Sequence, residues 1–123
     1  MTAPTEQELA SKATAPRVTQ AEIDWNIVGE YYFTAAEGVM GRDLAAGDLH
    51  APQVSIGQAT SLGLLTFCVL VLRNGFTVTG ESACASAENF DPEIGRRLAR
   101  AHAVNKIWPL MGYELRSKLA AQA

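Results

Sequence analysis

Apolar and polar positions along this chain change period several times, and each change predicts an element. Thr19-Gln20-Ala21-Glu22 has capping-box spacing, in which the Thr19 hydroxyl accepts from the Glu22 amide and Glu22 reaches back. Val18 and Ile23 flank it as a hydrophobic staple, which predicts a short helix from Gln20 to about Val28 with Ile23 and Ile27 inward. Tyr31-Tyr32-Phe33-Thr34 then has the aromatic and β-branched content of a short strand. Residues 1–17, rich in Ala, Thr, Glu and Pro with no apolar period, read as a mobile tail. Residues 37–61 hold four glycines and one proline without sustained periodicity, which predicts a long, largely disordered loop with His50 solvated in it.

Alternation returns on both sides of Asn74-Gly75. Both residues tolerate φ > 0, so they predict a two-residue turn that places Arg73 opposite Phe76. Val71 then faces Val78 and Val69 faces Gly80 on a core side. Leu72 with Thr77, Leu70 with Thr79 and Cys68 with Glu81 form the other side, which is apolar enough to need a cover. Terminal helices or a second subunit could supply it.

Asp91-Pro92 starts the next helix, with Asp91 as N-cap. Ile94, Leu98, Ala101, Asn105 and Trp108 follow helical spacing and predict its inward side; Arg96 and Arg100 line a flank, and Arg97 can pair with Glu93. Pro109 predicts an end or kink, and Glu114 to about Ala120 a last helix with Leu115 and Leu119 inward. The fold expected is α+β: a small antiparallel β-sheet with a short N-terminal helix and two C-terminal helices, in one domain over 18–123.

Composition agrees with a single domain, at 123 residues, 48% apolar and 19% charged. No run approaches the roughly 18 apolar residues of a membrane span, and Met1 to Glu6 lack the features of a secretion signal, so a cytoplasmic location without membrane contact is expected. Cys68 and Cys84, without CxxC spacing, read as packed thiols in a reducing compartment rather than metal ligands. The net charge of −3 is uneven: residues 1–50 carry eight acids against three bases, and residues 89–123 three acids against six bases. An acidic protein with a locally basic end is a poor general nucleic-acid binder but suits a small anion.

No nucleophile elbow, P-loop, dinucleotide fingerprint or carboxylate pair accompanies these elements, so neither an enzyme nor a cofactor or metal is expected. What remains is the start of the basic helix. Asn89 and Phe90 precede an N-terminus whose amides favour an anion, Phe90 offers a π-face, and Arg96, Arg100 and Arg116 supply charge-assisted donors. Such a set grips a nucleobase and its phosphates. Equally, Phe90 could be a buried staple and the arginines a solvated face.

The stretches Asn74-Gly75-Phe76-Thr77-Val78-Thr79-Gly80-Glu81-Ser82-Ala83-Cys84, Asn89-Phe90-Asp91, Glu93-Ile94-Gly95-Arg96 and Asn105-Lys106-Ile107-Trp108-Pro109-Leu110 resemble a family of small tailed-phage and prophage proteins, over residues 18–119. In what looks like the same superfamily are phage anti-defence proteins that act against Thoeris immunity by sequestering its cyclic ADP-ribose signal. The resemblance implies noncatalytic binding of a small cyclic nucleotide by a homo-oligomer in the host cytoplasm. Adenine would stack on Phe90, and phosphate would meet Arg96, Arg100 or Arg116. His102 stands where such proteins often have Asn, and Met111 where many have Glu; a polar contact at His102 would survive as a histidine donor. Two other functions fit the residues: inhibition of a host protein, or a DNA-associated accessory role that the acidic balance disfavours.

Overall fold

The computed structural model describes residues 2–47 and 56–123. Its centre is a three-stranded antiparallel sheet in the order β1 (Ile27–Thr34), β2 (Leu65–Leu72), β3 (Thr77–Ala83). A preceding helix α2 (Gln20–Asn26) and a long C-terminal helix α5 (Pro92–Ala121) pack on one face. The α+β class is as expected. Helix α2 starts on Thr19 as expected, with the Glu22 amide donating to the Thr19 hydroxyl at 3.1 Å, but the Glu22 carboxylate meets that same hydroxyl at 3.2 Å instead of closing the box on the backbone; the helix buries Ile23. Before it, α1 (Glu6–Lys12) is a short exposed helix in the segment read as a tail, tied back by an Arg17–Glu6 ion pair of 2.8 Å.

The hairpin corrects the expected register by one residue. Leu70 pairs with Val78, Cys68 with Gly80 and Val71 with Thr77. The Leu72 amide donates to the Phe76 carbonyl at 2.8 Å, which leaves three loop residues, Arg73, Asn74 and Gly75. Only Gly75 among them has positive φ, at 91°, so the turn is the three-residue kind with a left-handed glycine rather than one needing φ > 0 at Asn74 as well. Because side chains alternate, this slip turns every β2 residue over. Thr66, Cys68, Leu70 and Leu72 point to the core, and Val69 and Val71 are half-buried on the outward face.

Helix α5 corrects two further expectations. It is one 30-residue helix, not two, and runs through Pro109. Proline removes the hydrogen bond to residue 105, but Asn105 and Pro109 are both exposed, so water can take the freed carbonyl while buried Ile107 and half-buried Met111 hold the backbone on either side. Its buried face is Gly95, Ala99, Ala103 and Ile107; Ile94 and Leu98, expected inward, are 49% and 48% exposed. The cause lies on β3. A Cβ at Gly80 would overlap the Ala99 carbonyl oxygen and the Ala103 amide nitrogen, so strand and helix meet backbone to backbone, and only small residues fit that seam.

Within the expected loop over 37–61, residues 37–46 belong to α3 (Ala35–Ala46) and residues 56–61 to α4 (Ile56–Gly63), while 48–55 lie outside the described residues. Helix α3 begins on a capping box, Thr34 with Glu37, and ends on left-handed Gly47. His50 lies outside the described residues. Helix α3 contacts β1, β2 and α4.

Candidate functional site

The sheet, α3 and α5 meet at a cavity of about 280 Å³. Phe33 and Thr34 come from the end of β1, Glu37 from the first turn of α3, Thr66 from the start of β2, and Phe90, Pro92 and Arg96 from the entry into α5. Antiparallel pairing of Thr34 with Thr66 brings the strand ends level, and the two helices start from that edge of the sheet.

Phe90 and Arg96, both expected in a site, therefore share one cavity. Phe90 is half-buried, its ring next to Gly95, where an added Cβ would lie 3.6 Å from Phe90 Cε2. Arg96 is exposed. Arg100 follows one turn later on the same flank, half-buried and bonded to the Glu30 carboxylate, and this hydrogen bond pushes its basicity up. Asn89 is exposed in a single 3-10 turn and is not part of the lining. His102 lies on the opposite flank, with Nδ1 2.6 Å from the Glu81 carbonyl oxygen of β3. Arg116 is exposed twenty residues beyond Arg96, roughly 30 Å along the axis. The chain brings two of the six together, keeps a third next to them and separates the rest.

The helix tip also differs from expectation. Asp91 Oδ1 accepts from the Glu93 amide at 2.9 Å and the Ile94 amide at 3.2 Å, and Pro92 has no N–H. The first-turn amides are thus satisfied by a carboxylate of the chain itself, and Arg96 is left as the anion-attracting group of the cavity. At α3 the Glu37 carboxylate accepts from the Thr34 amide at 2.9 Å.

Thr66 was not foreseen. It is 3% exposed, and its Oγ1 has no hydrogen-bond partner. That oxygen sits over Gly95, where a Cβ would come within 3.0 Å of it. An isolated polar residue in the apolar run Leu65 to Leu72 is the signal that could have found it. A buried hydroxyl left unpaired costs about 1–3 kcal/mol, so Thr66→Val, which keeps the shape, is expected to raise unfolding stability by about 1 kcal/mol in urea titration.

Beside the site, burial raises the Cys68 thiol and pushes Tyr32 up to about 12, so both stay protonated at neutral pH. Cys84 is half-buried, with Sγ donating to the Ser86 carbonyl at 3.1 Å. Among the described residues no group of three or more His, Cys, Asp or Glu could hold a metal ion, and no helix is long and apolar enough to cross a membrane. A wider groove of about 510 Å³ runs between β3 and the second half of α5, with exposed Phe76, Leu110 and Tyr113; Lys106 is the one charged residue in its lining. Of these two, the smaller cavity is the one whose lining joins aromatic rings, a guanidinium and a buried threonine whose hydroxyl has no partner.

Searches of the curated proteins and of the solved structures give no significant match. The profile of the Phage protein (N4 Gp49/phage Sf6 gene 66) family matches residues 18–119, from the cap of α2 to the last turns of α5. Since that span takes in the whole sheet and the cavity, the chain belongs to this phage protein family.

Proposed function

We propose that this phage protein binds a small nucleotide of the cyclic ADP-ribose type without turning it over, and so removes a host immune signal from solution. The observation that carries this reading is the convergence of Phe90, Arg96 and Thr66, a buried threonine whose hydroxyl has no partner, on one cavity. A ring face and a guanidinium suit a base and its phosphate, and sequestration asks nothing further of the site. Glu37, the remaining ionisable group there, is engaged as a helix cap, which fits binding better than proton transfer.

Calorimetry and thermal shift with cyclic ADP-ribose isomers and with cyclic di- and trinucleotides test the reading. At a hundredfold excess over the dissociation constant, about 2.7 kcal/mol of stabilisation is expected from the true ligand. Phe90→Ala and Arg96→Ala should each weaken binding at least tenfold, since a stacked base or a charge-assisted bond is worth about 1–3 kcal/mol. Arg116→Ala should leave the affinity of a single chain unchanged. Absence of any stabilisation across the whole ligand set would remove the proposal.

One observation favours a second reading, binding to protein. The outward sheet face presents Val28 and Tyr31, 52% and 60% exposed, beside half-buried Val69 and Val71. A homo-oligomer built on that face belongs to the first reading, and capture of a host protein to the second. Light scattering across micromolar concentrations, with Tyr31→Glu as the control, separates them: the oligomer predicts a mass above the monomer that this change lowers.

A further inference from the structure

Building on the ligand reading of the cavity, we infer that it is a pocket for one nucleoside, with the Thr66 hydroxyl bonding the edge of the base and Arg96 holding the phosphate at the mouth. Size is the first argument. At about 280 Å³ the cavity falls just below the roughly 300–1,000 Å³ usual for sites that enclose a drug-sized ligand, so it takes one nucleotide unit and leaves the rest of a cyclic dinucleotide outside.

Charge gives the orientation. The cationic group of the lining, Arg96, is exposed, as are Glu37 and Phe33, whereas the Phe90 ring is half-buried and Thr66 is buried. A phosphate driven inward would leave the guanidinium for a floor of Phe90 and Thr66 that carries no cation, while a neutral heterocycle meets an aromatic face there. Thr66 completes the floor. Its hydroxyl and methyl branches are of similar size, so a turn about its Cα–Cβ bond moves the hydroxyl from Gly95 toward the cavity and gives up no hydrogen bond. A hydroxyl both donates and accepts, so it reads the edge of a base without choosing between purines.

Titration calorimetry with adenosine 5′-monophosphate, ribose 5-phosphate and cyclic ADP-ribose tests this on the intact protein. The monophosphate should bind within about tenfold of the cyclic ligand, and ribose 5-phosphate at least about a hundredfold more weakly. Thr66→Val should weaken the monophosphate about tenfold, the equivalent of 1.4 kcal/mol, while Thr66→Ser keeps its affinity. Unchanged affinity in Thr66→Val, or equal binding of ribose 5-phosphate and the monophosphate, would overturn the inference. Binding of cyclic ADP-ribose with none of the monophosphate would overturn it and leave the proposed function intact; no binding of any of the three would remove both.

Discussion

Gly80→Ala should leave little folded protein. The added methyl would overlap the Ala99 carbonyl oxygen and the Ala103 amide nitrogen, and lie 3.1 Å from Ala103 Cα. All three are helix backbone, so no side chain can rotate away, and α5 would have to lift off β3 along the seam that buries Ala99, Ala103 and Ile107. Losses above about 4 kcal/mol are exceptional for one substitution and a large part of the roughly 5–15 kcal/mol that holds a domain together. Loss of the cooperative transition in circular dichroism, or of soluble protein, is the expected result. Gly112→Ala is the control. Nothing lies within 4 Å of its added Cβ, and alanine in a helix interior should stabilise by about 0.5–1 kcal/mol. A Gly80→Ala protein as stable as the wild type would mean that helix and strand are not in backbone contact.

The second large effect separates the two faces of α5. Ile107 is fully buried and belongs to the core cluster with Leu70 and Val78. Truncation to alanine removes that burial and leaves a cavity, at a cost of about 2–5 kcal/mol. Ile94 has the same side chain on the same helix but is 49% exposed, so Ile94→Ala should cost under about 1 kcal/mol. Chemical denaturation of both variants reads the difference directly. Equal losses would mean that the helix is rotated so that its larger residues face the sheet.

That contrast shows where periodicity misleads. Counting large apolar residues selects Ile94 and Leu98, yet the face that packs is built from glycine and alanine, because its partner strand carries a glycine at the crossing point. Large side chains mark burial when elements meet through side chains, and they mislead where backbones touch. The hairpin failed by a single residue for a related reason. Both faces of β2 are apolar, with Phe67, Val69 and Val71 on one and Cys68, Leu70 and Leu72 on the other, so the pattern could not choose between registers, and the turn geometry decided. Helix α3 was legible in Thr34-Ala35-Ala36-Glu37 and Gly47, but Gly38 and Gly41 between them read as loop.

The site was legible in part. Phe90 and Arg96 stand out because an aromatic and an arginine flank a Pro-initiated helix, and local chain geometry keeps them close. Thr66 and Glu37 reach the same cavity through strand pairing and a helix turn, which sequence neighbours do not reveal. The spacing of Arg116 suits a helix flank, but a continuous helix carries it away from the tip, and only a break at Pro109 would have allowed a return.

The length of α5 has a practical side. Thirty residues of helix extend about 45 Å, whereas the strands beneath it, of seven or eight residues, extend about 25 Å, so its last turns reach past the sheet. Ser117 is exposed on that projecting end, and the native thiols are buried or half-buried. A dye or a surface tether attached at Ser117→Cys would therefore report from far outside the cavity, giving optical and immobilised assays an anchor that leaves the mouth of the site unobstructed.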